Sequence, residues 1–186
     1  DVAWEILPAN IDVPSMTYAP LTYNGAEQTP VFTIKLGNTT LTADDYDVTV
    51  TAQTNAGSYT ATITGKGNYR GTISNVTWSI GKATPSVTAP TANTGLVYKG
   101  TAQELISAGS TDFGTLLYSL DGTNYSEDIP TATKADSYTV YYKVQGDSNV
   151  EDVAAEQITA TIGKAEATVK AKNYTVKFGN PLPESL

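Results

Sequence analysis

The sequence predicts an all-β chain organised as small antiparallel β-sandwiches in tandem. Three observations carry that expectation. Apolar residues recur at every second position, helical patterning is nearly absent, and one segment occurs twice. The first copy is Ala-Gly-Ser-Tyr-Thr-Ala-Thr-Ile-Thr-Gly from Ala56 to Gly65. The second is Ala-Asp-Ser-Tyr-Thr-Val-Tyr-Tyr-Lys-Val from Ala135 to Val144. A unit repeated in series marks an array, and arrays act through extent and spacing more than through one reactive centre.

The alternation locates the strands. Phe32, Ile34 and Leu36 share one face while Thr33 and Lys35 take the other. Tyr46, Val48 and Val50 follow the same rule, as do Tyr59, Ala61 and Ile63. In the second copy Tyr138, Val140, Tyr142 and Val144 alternate, then Ile158, Ala160 and Ile162. Apolar residues on one side and Thr on the other suit a half-buried antiparallel strand, because the branched Cβ of Thr favours extended backbone and its hydroxyl faces water. Only Glu151 to Glu156 reads as a possible helical turn. Asp121-Gly122 predicts a tight hairpin, since both positions tolerate positive φ; Gly37-Asn38 and the stretch Gly65 to Asn68 mark similar reversals.

Matched landmarks set the unit boundaries. Leu21-Thr-Tyr-Asn-Gly25 with Gln28 corresponds to Leu96-Val-Tyr-Lys-Gly100 with Gln103, Tyr59 to Tyr138, and Ile80-Gly-Lys-Ala83 to Ile162-Gly-Lys-Ala165. The separation grows along the chain, so the second unit carries short insertions where loops accept them. Val2-Ala-Trp-Glu-Ile6 reproduces Val76-Thr-Trp-Ser-Ile80, and Ala165 to Val169 echoes Ala83 to Val87. Residues 1–8 therefore read as the closing strand of a preceding repeat or the first strand of this one. Residues 9–81 and 82–163 are the two units, and 164–186 begin a truncated third. The joint from Trp78 to Val87 has one Gly and one Pro and no flexible linker, which predicts a semi-rigid rod.

Composition excludes much chemistry. The chain has 186 residues, 40% of them hydrophobic, and neither Cys nor His. Ser–His–Asp triads, thiol nucleophiles, thioester crosslinks and ordinary zinc sites are ruled out within it. A formal net charge of -8 opposes nucleic acid and anionic membranes. Residues 82–163 hold ten acidic and four basic residues, whereas the tail carries Lys164, Lys170, Lys172 and Lys177 against Glu166 and Glu184. No run of apolar residues is long enough to span a bilayer as a helix.

The segments Asn55 to Ala61 and Lys134 to Val140 resemble the corner of an immunoglobulin-type sandwich. There a Tyr opens a late strand and its hydroxyl bonds back to upstream backbone. Tyr59 and Tyr138 take that structural place. Ala61 and Val140 stand where that fold has its second cysteine, and the strand-C tryptophan has no counterpart. At larger scale, Tyr23-Asn-Gly-x-x-Gln-Thr-Pro30, Asp45-Tyr46-Asp-Val48 and Ile63 to Gly71 are similar to the Ig-like and MBG-type repeats of large surface proteins from Gram-positive and gut bacteria. The resemblance implies immunoglobulin-like sandwiches in an extracellular, cell-surface or cell-wall setting, with a stalk or adhesin role. It transfers no catalytic residue. A β-grasp module is the alternative fold and would need a helix packed on one sheet.

Candidate sites are few. Adjacent acids such as Glu127-Asp128 and Glu151-Asp152 point apart on a strand or turn and do not face each other across a cleft as glycosidase carboxyls must. Asp44, Asp45 and Asp47 offer oxygen to calcium, although their spacing matches no EF-hand and Asp commonly opens turns. Twelve tyrosines exceed the Phe and Trp content. Exposed rings serve as sugar-stacking platforms, and Tyr69, Tyr118, Tyr125 and Tyr141 are the candidates. Asn38, Asn75, Asn124 and Asn173 fit the N-x-Ser/Thr pattern, a frequent chance match in a Thr-rich chain. The expected function is a non-catalytic stalk that needs no cofactor, with adjacent repeats of the same chain as partners. The alternatives are a module binding host glycan or a surface protein, and an accessory part of a secreted polysaccharide-degrading enzyme.

Overall fold

The computed structural model describes residues 5–11, 14–171, 175 and 177–179. Trp4, Lys172, Asn173 and Glu184 lie outside the described residues. Nine strands occupy the first unit: β1 (Ala9–Asn10), β2 (Ser15–Tyr18), β3 (Leu21–Thr22), β4 (Phe32–Leu36), β5 (Thr39–Thr40), β6 (Tyr46–Thr49), β7 (Gly57–Gly65), β8 (Tyr69–Arg70) and β9 (Thr72–Gly81). Nine more follow: β10 (Val87–Thr88), β11 (Thr91–Ala92), β12 (Gln103–Glu104), β13 (Ile106–Ser107), β14 (Ser110–Thr111), β15 (Thr115–Ser119), β16 (Thr131–Ala132), β17 (Ser137–Gln145) and β18 (Val153–Thr161). The described residues contain no helix. The fold is all-β, and the β-grasp alternative lacks the element it requires.

In the first unit a three-stranded sheet, β2-β4-β5, packs on a four-stranded one, β3-β9-β7-β6. Their inner faces meet in one cluster that joins Phe32 and Ile34 of the first sheet to Ala61, Ile63, Val76, Trp78 and Ile80 of the second. This is the two-layer solution open to a sheet with one apolar face. Along β4 burial alternates from Phe32 to Leu36, as the period-two pattern requires. The β7–β9 hairpin slips register between Ala61 and Ile63, and Asn75 sits at φ 58 in the slipped stretch of β9. Among non-glycine residues Asn enters the left-handed region more readily than most, which suits it to this irregular stretch.

The second unit keeps the long antiparallel sheet, β15-β17-β18, and breaks the rest into two-stranded ladders: β10-β14, β11-β13 and β12-β16. Leu105, Ile106, Tyr118, Val140, Tyr142, Ala160 and Ile162 form its own buried cluster. Two features recur between the units. A short early segment runs parallel to the closing strand, Leu21 beside Ile80 and Val97 beside Gly163. Parallel pairing also recurs near the start of each unit, Ala9 with Tyr69 and Ala83 with Val150.

Two local expectations are corrected. The Glu151 to Glu156 stretch is extended, because from Val153 onward it enters β18 and pairs with β17. The Asp121-Gly122 reversal is a wide loop instead of a two-residue hairpin. It closes where Tyr118 and Ser126 exchange backbone hydrogen bonds of 2.7 and 3.0 Å. The Ser119 hydroxyl accepts from the backbone N–H groups of Asp121 and Gly122 and donates to Asp121 Oδ1, so side-chain bonds replace the ladder.

Candidate functional site

The candidate tyrosines separate into different environments. Tyr118 is only 4% exposed, and its hydroxyl accepts from Gly109 N–H at 3.0 Å. It is a core side chain and presents no ring to a ligand. The reason is register: Tyr118 lies opposite Tyr142 on the inward face of the sheet. Tyr69 is half-buried against the first core and pairs with Ala9. Together with Ile6, Leu7 and Asn68 it lines a shallow groove where the chain enters the unit.

Tyr125 and Tyr141 remain partly exposed. Tyr141 and Lys143 share the outward face of β17, opposite to Tyr142 and Val144. The Lys143 ammonium lies 4.4 Å from the centre of the Tyr125 ring. A cation over an aromatic face at this exposure contributes about 0.5–1 kcal/mol. The Tyr141 ring lies against Gly122, whose φ of 72 favours glycine and at which an added Cβ would sit 3.5 Å from the ring. Each ring is therefore approached by its own chain, Tyr125 by Lys143 and Tyr141 by Gly122.

The loop beside them is ordered by Asp121. Its Oδ1 accepts from Thr123 N–H, Asn124 N–H and the Ser119 hydroxyl, and its Oδ2 from the Asn124 carboxamide at 2.7 Å. These donors, those of Asn124 foremost, hold the carboxyl well below the usual carboxylate range. Asp121 is thus occupied in shaping the loop. The adjacent cleft, about 290 Å³, also touches Asn124, Ser126 and Asp128.

The acidic trio does not assemble. Asp45 Oδ2 accepts from the Thr42 backbone N–H and hydroxyl, each at 2.8 Å, which depresses its pKa and closes a turn. Asp47 reaches Lys66 at 2.7 Å, an exposed pair. Among the described residues no three His, Cys, Asp or Glu side chains converge as a metal site. The three aspartates offered as calcium candidates, Asp44, Asp45 and Asp47, are thus not brought together: two of the three carboxylates have protein donors, one in its own turn and one from Lys66.

One polar pair had no sequence signal. Tyr142 donates to Glu156 Oε2 at 2.6 Å across the β17–β18 ladder, beside a small cleft also lined by Val87, Ala89 and Val153. The Glu156 carboxylate and burial raise the phenol pKa above 10.0. Alternation marked Tyr142 as apolar core, and only the register brings Glu156 opposite it.

The best-organised constellation lies at the joint. Ala83 N–H donates to Asn149 O, and Glu151 N–H donates to Ala83 O, both at 2.9 Å. The Lys82 ammonium donates to Asp147 O at 2.7 Å. Asn149 reaches back into the first unit, where its Oδ1 accepts from Ala56 N–H at 2.8 Å and its Nδ2 donates to Asn55 Oδ1 at 3.2 Å. Asp147 Oδ1 fixes this turn by accepting from the N–H groups of Asn149 and Val150. The Tyr23 and Phe113 rings meet edge-on, 5.5 Å between centres. Asn149 docks beside the tyrosine corner, where the Tyr59 hydroxyl donates to Asn55 O at 2.8 Å; the Tyr138 hydroxyl makes the same bond to Lys134 O at 2.9 Å. No family model, curated protein or solved structure matches the chain.

Proposed function

We propose that this chain is a non-catalytic spacer, a stretch of stalk from a bacterial cell-surface protein of adhesin type, built from immunoglobulin-like repeats that hold another element at a distance. The joint supports this reading most directly. The Asn149 side chain bonds Ala56 and Asn55 of the first unit, the Tyr23 and Phe113 rings meet across the joint, and bonds at Lys82 and Ala83 fasten the connecting segment to the second unit; a spacer needs joints that resist bending. Antiparallel ladders in each unit bear load through many backbone bonds in parallel. Small-angle scattering on the chain and on Asn149→Ala tests it. The parent should give one fixed distance between unit centres, and the variant a broader distribution with the same unit sizes. Free hinging in the parent would end the stalk reading.

A second reading rests on Tyr125, Tyr141 and Lys143, which give one sheet face a mixed aromatic and polar surface fit for stacking on a sugar ring. Glycan-array binding lost in Tyr141→Ala at unchanged melting temperature would favour a binding module over a plain spacer.

A further inference from the structure

The joint occurs once in full, and three of its parts recur on the far side of the second unit. Hydrogen bonds fix the equivalence. Tyr23 N–H donates to Gly81 O and Tyr98 N–H to Gly163 O, both at 2.9 Å. The Tyr59 and Tyr138 hydroxyls cap Asn55 O and Lys134 O. Hence Tyr98 takes the place of Tyr23, Ala135 that of Ala56, and Lys164-Ala165 that of Lys82-Ala83. At the first joint residues of the second unit engage all three parts, Phe113 meeting Tyr23, Asn149 bonding Ala56, and the turn from Asp147 to Glu151 holding Lys82-Ala83. On the far side of the second unit, among the described residues, they are not engaged in this way. Tyr98 is 45% exposed and Val97 48%. Ala135 N–H has no partner among the described residues, whereas Ala56 N–H is held by Asn149. Ala165 lies in no strand or bridge, whereas Ala83 is bridged to Val150.

The complementary surface is also present in the molecule. Asn68 occupies in the first unit the place of Asn149 in the second, since Ala9 N–H donates to Asn68 O as Ala83 N–H donates to Asn149 O. Around it Ile6 is 97% exposed and Leu7 61%.

We propose that the face made by Tyr98, Ala135 and Lys164-Ala165 receives a further unit of this same fold in line with the first two. The arriving turn presents an Asn or Asp, as Asn149 does. Its side-chain oxygen accepts from Ala135 N–H, while its backbone pairs in parallel with Ala165. Lys134 stands where Asn55 stands in the first unit, so this joint offers a cation in place of a carboxamide oxygen and favours an acceptor on the incoming side. The inference rests on the spacer reading and specifies its partner and contact residues.

The test lengthens the chain by placing residues 82–171 directly after Gly163. That junction keeps the natural order Ile-Gly-Lys-Ala, because Gly163 is already followed by Lys164 and Ala165. Amide hydrogen exchange of Ala56 and Ala135 is then read by NMR in both chains. In the parent, Ala56 should exchange slowly and Ala135 fast. In the lengthened chain Ala135 should slow by roughly 5–10-fold, the value of one net hydrogen bond. Asn149→Ala in the added copy should restore fast exchange at Ala135 and leave Ala56 slow. If Ala135 stays fast while Ala56 is protected, the inference fails and the spacer reading stands. If Ala56 is itself unprotected in the parent, the joint is not held and both fail. Protection of Ala135 that appears in the parent only as concentration rises would assign the face to a second copy and overturn the in-line partner.

Discussion

The two units share a frame and fill it with different side chains. Ladder positions make the comparison explicit. Tyr59 stands opposite Trp78 in the first unit, and Tyr138 opposite Ala160 in the second. Ile63 faces Val48, whereas Tyr142 faces Tyr118. A large ring at the closing strand and a small residue on the neighbouring strand are thus exchanged for a small residue and a large ring. Trp78 is 1% exposed and Tyr118 4%, so the ring is buried in both arrangements. Cores tolerate substitution when total volume and patterning persist, and tandem copies diverge along that route. What stays fixed is the backbone chemistry that defines the frame: the corner hydroxyl, the parallel pairing with the closing strand and the turn at the joint.

The ring exchange predicts separable stabilities. Trp78→Ala should remove about 3–5 kcal/mol, the usual cost of an emptied aromatic site. A unit of this size has only about 5–15 kcal/mol in total, so the first unit should melt far below the second. Differential scanning calorimetry would then show two transitions, with the upper one unmoved. A single transition shifted as a whole would mean that the units share one cooperative core. Among the described residues the buried Trp78 Nε1–H has no hydrogen-bond partner, and the ring packs against the Tyr59 ring, 5.0 Å between centres.

Interchanging the rings is the next step. Tyr118→Val should cost the second unit about 2–4 kcal/mol by opening a cavity and freeing Gly109 N–H. Ala160→Trp alone should cost about 1–3 kcal/mol by overpacking. The double variant imports the first unit's arrangement and should lose less than the sum of the two single changes, because residues in a shared core couple. Strict additivity in urea melts would show that the two positions do not share volume.

The corners predict a smaller and symmetric effect. Tyr59→Phe and Tyr138→Phe each remove one hydroxyl-to-carbonyl bond that is partly open to water. Each should cost about 0.5–1.5 kcal/mol to its own unit only. Unequal costs would locate extra support at one corner, and the first suspect is Asn149, which bonds Ala56 and Asn55 beside Tyr59 and has no counterpart beside Tyr138 among the described residues.

Alternation made the strands legible, since burial of one face is written into every second residue, as along β4 and β17. The repeat made Tyr59 and Tyr138 comparable before any contact was known. What alternation cannot carry is which outward residue meets which. Tyr118 was misplaced because in Leu116-Leu117-Tyr118 both parities are apolar or aromatic, so the inward face is not defined. The Tyr142–Glu156 bond depends on ladder register around the slip between Tyr142 and Val144. Asn149 looked like any turn residue, and its reach to Ala56 spans 93 positions. The aspartate cluster makes a related point: adjacency in sequence does not aim side chains at one place, and Thr42 and Lys66 occupy two of the three carboxylates.

The finest distinction between the units is electrostatic. The second unit carries Tyr142 where the first has Ile63, and it alone has the Asp121 loop. Tyr142 is pushed above its ordinary 10.0 by Glu156 and burial, so the folded state keeps a proton that the unfolded state sheds. The stability this represents is complete below pH 10 and is lost as pH rises through the folded value. Asp121 shifts the other way. Its carboxyl is held below the ordinary 3.8 by the Asn124, Thr123 and Ser119 donors, so its contribution is present above that pH and fades as the solution is acidified. Tyr142→Phe should therefore flatten the alkaline limb of the second unit's stability curve, and Asp121→Asn the acid limb, with the first unit unaffected by either. Tryptophan fluorescence reports the first unit through Trp78, while tyrosine-selective NMR signals report the second. An alkaline limb unchanged by Tyr142→Phe would mean that the Glu156 contact does not outlast competition from water.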